Sequence, residues 1–172
     1  MEVDSHLGAA MSGLTADART LIDHARNECQ NHRFTYNESM PIEAVAQSLC
    51  DVALNFGEDG NSSGMSRPFG VALLLAGHDL DHGPVLYTTD PSGTYVKYGA
   101  KAVGSGSEGA QNALQESYKP EMSLAEAETL ALSVLKQVME EKVTQTNVDI
   151  ATVAPHYKLY TEEEVQKVID RL

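Results

Sequence analysis

Two rhythms of apolar positions run along the chain, one of period two and one of period 3.6, and the switches between them mark the elements. Residues 7–12, LGAAMS, are small and apolar and predict a buried strand, which Gly13 turns. Asp17 stands where it can cap a helix carrying Ala18, Leu21, Ile22, Ala25 and Cys29 at helical spacing, and the polar run QNHRFTYNES follows. Pro41 suits the first position of a second helix. From there Ile42, Val45, Ala46, Leu49, Cys50, Ala53 and Leu54 line one helical stripe. Burying Ile42, Val45, Leu49 and Leu54 contributes roughly 1.5–3 kcal/mol each before entropy is counted, so a layer must lie beneath them. Gly57 ends this helix, and GEDGNSSG, 57–64, reads as a surface loop.

Three strands come next. PFGVALLLAG, 68–77, is almost continuously apolar and fits a strand buried on both faces. HDLDHG turns the chain into PVLYTTD, 84–90, and the PSG turn at 91–93 leads to TYVKYGAKAV, 94–103. Connections this short make the meander antiparallel. GSGSEG, 104–109, opens a helix with Ala110, Ala113 and Leu114 on one side, which Pro120 ends. Ser123-Leu-Ala-Glu126 is a capping box, and the helix it starts carries Leu124, Ala127, Ala131, Val134, Leu135, Val138 and Met139 as a stripe. NVDIATV, 147–153, alternates like a strand, and Thr161-Glu-Glu-Glu164 caps a last helix with Val165, Val168, Ile169 and Leu172. Helix pairs flanking an antiparallel meander place helices outside stacked sheets, within one domain over 1–172.

Composition narrows the function. Twelve Lys and Arg against 25 Asp and Glu give a net charge of −13, which repels phosphate backbones and argues against nucleic acid as a partner. No run of about 18 apolar residues is present to span a membrane, and MEVDSHLGAAMSG lacks the pattern of a signal peptide. Cys29 and Cys50, with no CxxC, read as reduced thiols on the apolar side of helices. The sequons at Asn37 and Asn61 are then chance matches, and the expected location is the cytoplasm and nucleus.

Several stretches offer chemistry. Gly104-Ser-Gly106-Ser-Glu-Gly109 fits GxGxxG between a strand and a helix, the setting of a dinucleotide fingerprint. A second helix follows, however, where that motif needs a parallel strand, and Glu128, at the distance of the ribose-binding acid, lies inside it. The expectation is therefore a glycine-bearing turn and no bound cofactor. His78-Asp-Leu-Asp-His82 has the composition of a metal clip, yet it joins two strands where exposed polar residues are ordinary, so no metal is expected. His6, His24, His32 and His156 show no spacing that makes a site. Met11-Ser12-Gly13 is not a nucleophile elbow, and the acids Glu140-Glu141 and Glu162–Glu164 sit at helix ends, the latter favoured there by the helix dipole.

Some of these same residues carry a family resemblance. Met11-Ser-Gly-Leu-Thr-Ala-Asp-Ala-Arg19 resembles the M-S-G-L-x-A-D-A-[KR] segment of eukaryotic proteasome alpha subunits. Arg67-Pro-Phe-Gly-Val-Ala-Leu-Leu-Leu-Ala-Gly77 resembles their R-P-[FY]-G-V strand, and Asp90-Pro-Ser-Gly-Thr94 their D-P-[SA]-G turn. Gly104–Gln111 and Lys136-Gln-Val-Met-Glu-Glu-Lys142 are similar to the fifth alpha type in particular. The resemblance runs the length of the chain. It implies a four-layer α/β/β/α sandwich of the N-terminal-nucleophile hydrolase type. It also implies a non-catalytic subunit of the outer ring of the 20S particle, whose partners are neighbouring alpha subunits, underlying beta subunits and activator particles. Gly13 and Leu14 match the Gly-Leu that helps line the pocket for activator tails. Against the family pattern, the gating tail, first helix, first two strands and pocket lysine are absent here. Catalytic relatives use an N-terminal Thr as nucleophile, whereas Thr15 and Thr20 lie past the first strand. Two other readings stand beside this one: a self-associating fragment with no role in the particle, and an enzyme, either nucleotide-dependent through 104–109 or a threonine protease.

Overall fold

The computed structural model describes residues 1–55 and 67–172. The Gly57 stop, the 57–64 loop and the Asn61 sequon lie outside the described residues. The class is α+β, and the contacts divide the chain into two compact units, Met1–Tyr98 with Val153–Tyr157, and Gly99–Thr152 with Lys158–Leu172.

The first unit is a helical pair on an antiparallel sheet. In chain order it holds β1 (Glu2–Asp4), β2 (Leu7–Gly13), α1 (Thr15–Tyr36), α2 (Ile42–Leu54), β3 (Val71–Asp79), β4 (Gly83–Thr89) and β5 (Tyr95–Tyr98). Sheet order equals chain order, and every pairing is antiparallel. The reason is simple: α1 and α2 run out and back, so the chain re-enters the sheet where it left it and β3 lies against β2. One core results. Leu21, Ile22, Ala25 and Cys29 of α1 and Ile42, Val45, Ala46 and Leu49 of α2 meet Leu7, Ala9, Leu73, Leu75, Val85 and Tyr87 on one sheet face.

Several expectations need correction here. Strand β3 is buried on one face only: Val71, Leu73, Leu75, Gly77 and Asp79 are buried, whereas Ala72, Leu74 and His78 are half-buried and Ala76 is exposed. Helix α1 runs through the polar stretch as far as Tyr36, ending where Asn37 turns left-handed (φ 53°) and gives its N–H to the Arg33 carbonyl. Pro41 is the N-cap of α2, one place before the helix starts, and Leu54 leaves the stripe with about half its surface exposed. Strand β1 was not anticipated, because three residues show no periodicity.

The second unit holds α3 (Ser107–Ser117), α4 (Leu124–Val138) and α5 (Glu162–Ile169). Both predicted capping boxes are present: Ser123 and Glu126 cap α4, and Thr161 and Glu164 cap α5. Leu132, Val143, Val148 and Val168 form its buried cluster. The stripe read on α4 is rotated from the observed one. Leu132 and Val134 are buried, while Leu124, Ala127, Ala131 and Leu135 face solvent. The strand expected over 94–103 stops at Tyr98. Beyond Gly99 the Gln111 amide takes the place of a neighbouring strand, accepting from the Ala102 N–H at 3.1 Å and donating to the Ala100 carbonyl at 3.4 Å. The strand expected over 147–153 shortens to β6 (Ala151–Val153), because Val148 turns into the buried cluster. It pairs with β7 (Tyr157–Leu159), which the sequence did not signal, across a turn containing a cis Ala154–Pro155 bond.

Candidate functional site

The turn from β2 into α1 is built by three stretches of the first unit. Gly13 closes the strand at φ 130°, and a Cβ there would stand 2.3 Å from the Gly70 carbonyl oxygen, so only glycine fits. Leu14 follows as the N-cap residue of α1, in extended conformation. Its N–H donates to the Gly70 carbonyl at 2.9 Å, and its carbonyl accepts from the Ala18 N–H at 3.0 Å. The Leu14 side chain lies against Gly70, where a Cβ would come within 2.8 Å of Leu14 Cδ1, yet 53% of the residue is exposed.

Asp17 holds this turn from below. The expectation that Asp17 caps α1 is corrected: it lies inside the first turn, and its carboxylate is bonded to Arg67 and Gly70 instead of capping the helix. Oδ1 and Oδ2 accept from the two terminal nitrogens of Arg67 at 2.9 and 2.7 Å, and Oδ2 also accepts from the Gly70 N–H at 2.8 Å. The Arg67 and Gly70 donors hold the Asp17 carboxyl below the usual carboxylate range, against the opposing pull of burial. A planar guanidinium meeting a carboxylate on two prongs fixes direction as well as distance. Leu14 is thus an apolar side chain held outward by a rigid base.

The model describing proteasome subunits matches residues 1–153. The chain belongs to the proteasome subunit family. It is similar to the proteasome subunit alpha type-5 of Dictyostelium discoideum, with 56% identity over all of this chain and 73% of that protein. It is also similar to the probable proteasome subunit alpha type-5 of Schizosaccharomyces pombe, at 56% over 99% of this chain and 70% of that one. The alpha type-5 subunit of Drosophila melanogaster is 53% identical over the whole chain and 72% of its own length. These figures bear out the resemblance read from the sequence motifs and support an alpha-type subunit.

The other candidate stretches of this proteasome subunit have structural work to do. In His78-Asp-Leu-Asp-His82, Asp79 is buried and its Oδ1 accepts from the Ile42 N–H at 3.0 Å, so β3 supplies the cap that α2 lacks locally. Among the described residues no group of three His, Cys, Asp or Glu is placed to hold a metal ion. In GSGSEG, Gly106 is the N-cap of α3, and a Cβ on it would stand 3.1 Å from Val138 Cβ. Gly109 also faces Val138, so these glycines bring α3 close to the end of α4. Glu128 accepts from the Tyr160 hydroxyl and from Arg171, a tie within the second unit. Cys29 and Cys50 are buried free thiols, pushed up by burial to about 12 and about 11. The Nε2 of His24 and the Ser48 hydroxyl are hydrogen-bonded at 3.0 Å, tying α1 to α2. Thr15 starts α1, and Thr20 donates its hydroxyl to the Ala16 carbonyl within the helix.

One cluster escaped the sequence reading. His6 is buried, with Nε2 on the Met40 carbonyl at 2.8 Å and Nδ1 3.5 Å from Asp4, whose Oδ2 also accepts from Arg33 at 2.9 Å. It joins the β1–β2 turn, the end of α1 and the α1–α2 connection. The partners stand 29 and 34 residues away in sequence, so no local spacing announces them.

Proposed function

We propose that the chain is a non-catalytic structural subunit of the outer alpha ring of the proteasome, taking part in ring assembly, gating and activator docking during ubiquitin-dependent protein degradation in the cytoplasm and nucleus. The observation that carries this reading is identity of 53–56% with alpha type-5 relatives along essentially the whole chain. Neighbouring alpha subunits, beta subunits and activator particles are the partners. The Gly13–Leu14 turn is the part of the surface offered to activator tails, because an apolar side chain held outward on a rigid turn gives a tail a fixed, partly dehydrated wall. The non-catalytic reading rests on Thr15 opening α1 and on Thr20 lying within it, with its hydroxyl on the Ala16 carbonyl.

Co-expression with the other alpha-type subunits of one proteasome, followed by sedimentation, tests the reading. Incorporation at one copy per ring is expected, and exclusion from every ring-sized species would refute it. A second reading, self-association, is favoured by the sheet face opposite the helices, where Ala10, Ala76 and Val96 are exposed beside Leu74. Under that reading the chain sediments as a multimer of itself and leaves the other subunits unbound.

A further inference from the structure

We propose that Asp17 and Arg67 are positioning residues for the Gly13–Leu14 turn, a two-pronged clasp that sets how Leu14 is presented to a docking C-terminal tail. This inference rests on the reading of the turn as a tail-docking surface and adds the residues that control it. The argument follows a chain of contacts. Arg67 grips both oxygens of Asp17 at 2.7 and 2.9 Å. Asp17 uses the same Oδ2 to hold the Gly70 N–H at 2.8 Å. Gly70 in turn carries Leu14 twice, by its carbonyl on the Leu14 N–H at 2.9 Å and by its bare Cα beneath the leucine side chain.

Phe69, next to Gly70, is buried, so the peptide between them has little freedom to compensate. Releasing Asp17 from Arg67 frees the carboxylate to turn toward its own helix end, where the first-turn N–H groups attract it. Gly70 then loses its anchor, and Leu14 loses the surface it rests on. Arg67 is about half exposed, so its removal leaves no cavity in the core and the fold survives the test. Leu14 and Arg67 thus separate two roles that share one turn: Leu14 touches the tail, and Arg67 acts through Asp17 and Gly70.

The test uses the full chain and four variants, Leu14→Ala, Arg67→Ala, Arg67→Lys and Asp17→Asn. The probe is a short fluorescent peptide with an apolar C-terminal residue and a free carboxylate, with its C-terminal amide as control. Two readouts are taken: amide hydrogen exchange at Leu14, and peptide affinity. Arg67→Ala and Asp17→Asn are expected to quicken exchange at Leu14 and weaken the peptide by about two- to fivefold each, the range of a partly exposed ion pair. Arg67→Lys, which keeps the charge and loses the fork, restores part of both. Leu14→Ala is expected to lose the peptide while the Gly70 amide stays protected. Unchanged exchange in Arg67→Ala overturns the clasp. Quickened exchange with unchanged affinity, in a protein where Leu14→Ala does lose the peptide, overturns the positioning role and leaves the docking surface standing. Equal affinity in Leu14→Ala and the unaltered chain refutes the docking surface itself, and the clasp's bearing on it with it.

Discussion

Asp79→Ala tests whether a strand residue governs a helix far from it in sequence. The Ile42 N–H is buried and gives its hydrogen bond to Asp79 Oδ1 at 3.0 Å, while Pro41, the N-cap residue, makes no side-chain cap of its own. Alanine takes the acceptor from a donor on a fully buried residue, Asp79 itself being only 8% exposed. An orphaned buried donor costs about 1–3 kcal/mol, and the lost cap is the same bond seen from the helix, so the two costs do not add. With a urea slope near ~2 kcal/mol/M, the unfolding midpoint falls by about 0.5–1.5 M. Asp79→Asn keeps an oxygen at the Oδ1 position and is expected to lose less than about half of that. Urea titrations of the purified variants, followed by circular dichroism, measure both. Equal shifts for the two variants, or an alanine shift lost in the error of the midpoint, would refute the capping role.

Three further outcomes are expected. Cys29 and Cys50, raised to about 12 and about 11 by burial, should stay unreactive toward a disulfide reagent at pH 8 and react together once urea unfolds the chain. Asp4, Asp17, Asp90, Glu126 and Glu164 all titrate below their ordinary values of 3.8 and 4.5 in the fold, so the stability they supply is complete above those values and disappears as pH falls through the lower folded ones. Urea midpoints should therefore hold from pH 7 to about 5 and drop below about pH 4. Gly106→Ala should destabilise the second unit by crowding Val138, while calorimetric titration of the unaltered chain with NAD or ATP gives no heat of binding. Micromolar binding that Gly106→Ala abolishes would reverse that reading of 104–109.

What the sequence showed, and what it hid, follows the distance over which each feature is decided. The stripe of α2, the two capping boxes and the β3–β4 hairpin are set by neighbours a few residues away, and local periodicity was enough to find them. Asp17 was read as a cap because nothing nearby says that Arg67, fifty positions on, will claim its carboxylate. Asp79 was read as part of a polar turn because its partner, Ile42, lies 37 positions back. On α4 every face carries apolar residues, so periodicity could not choose between the stripe with Leu132 and the one with Leu124 and Leu135. The Gly13–Leu14 turn was placed by its resemblance, and the structure adds the base on which it stands.

The α1–α2 pair has a temporal consequence. Strand β2 pairs with β3 along its whole length, and Gly13 and Val71, the innermost pair, stand 58 positions apart. At ordinary translation rates of about 5–20 residues per second, β2 waits roughly 3–12 s for its partner to be made. During that interval the edge of β2 that will meet β3 stays without its partner, while the helical hairpin has time to form from local contacts alone. Strands β3, β4 and β5 then zip together from successive tight turns as they appear. The nascent chain therefore closes its sheet late and from the middle, and β2 is the strand that waits across the whole helical hairpin for its partner.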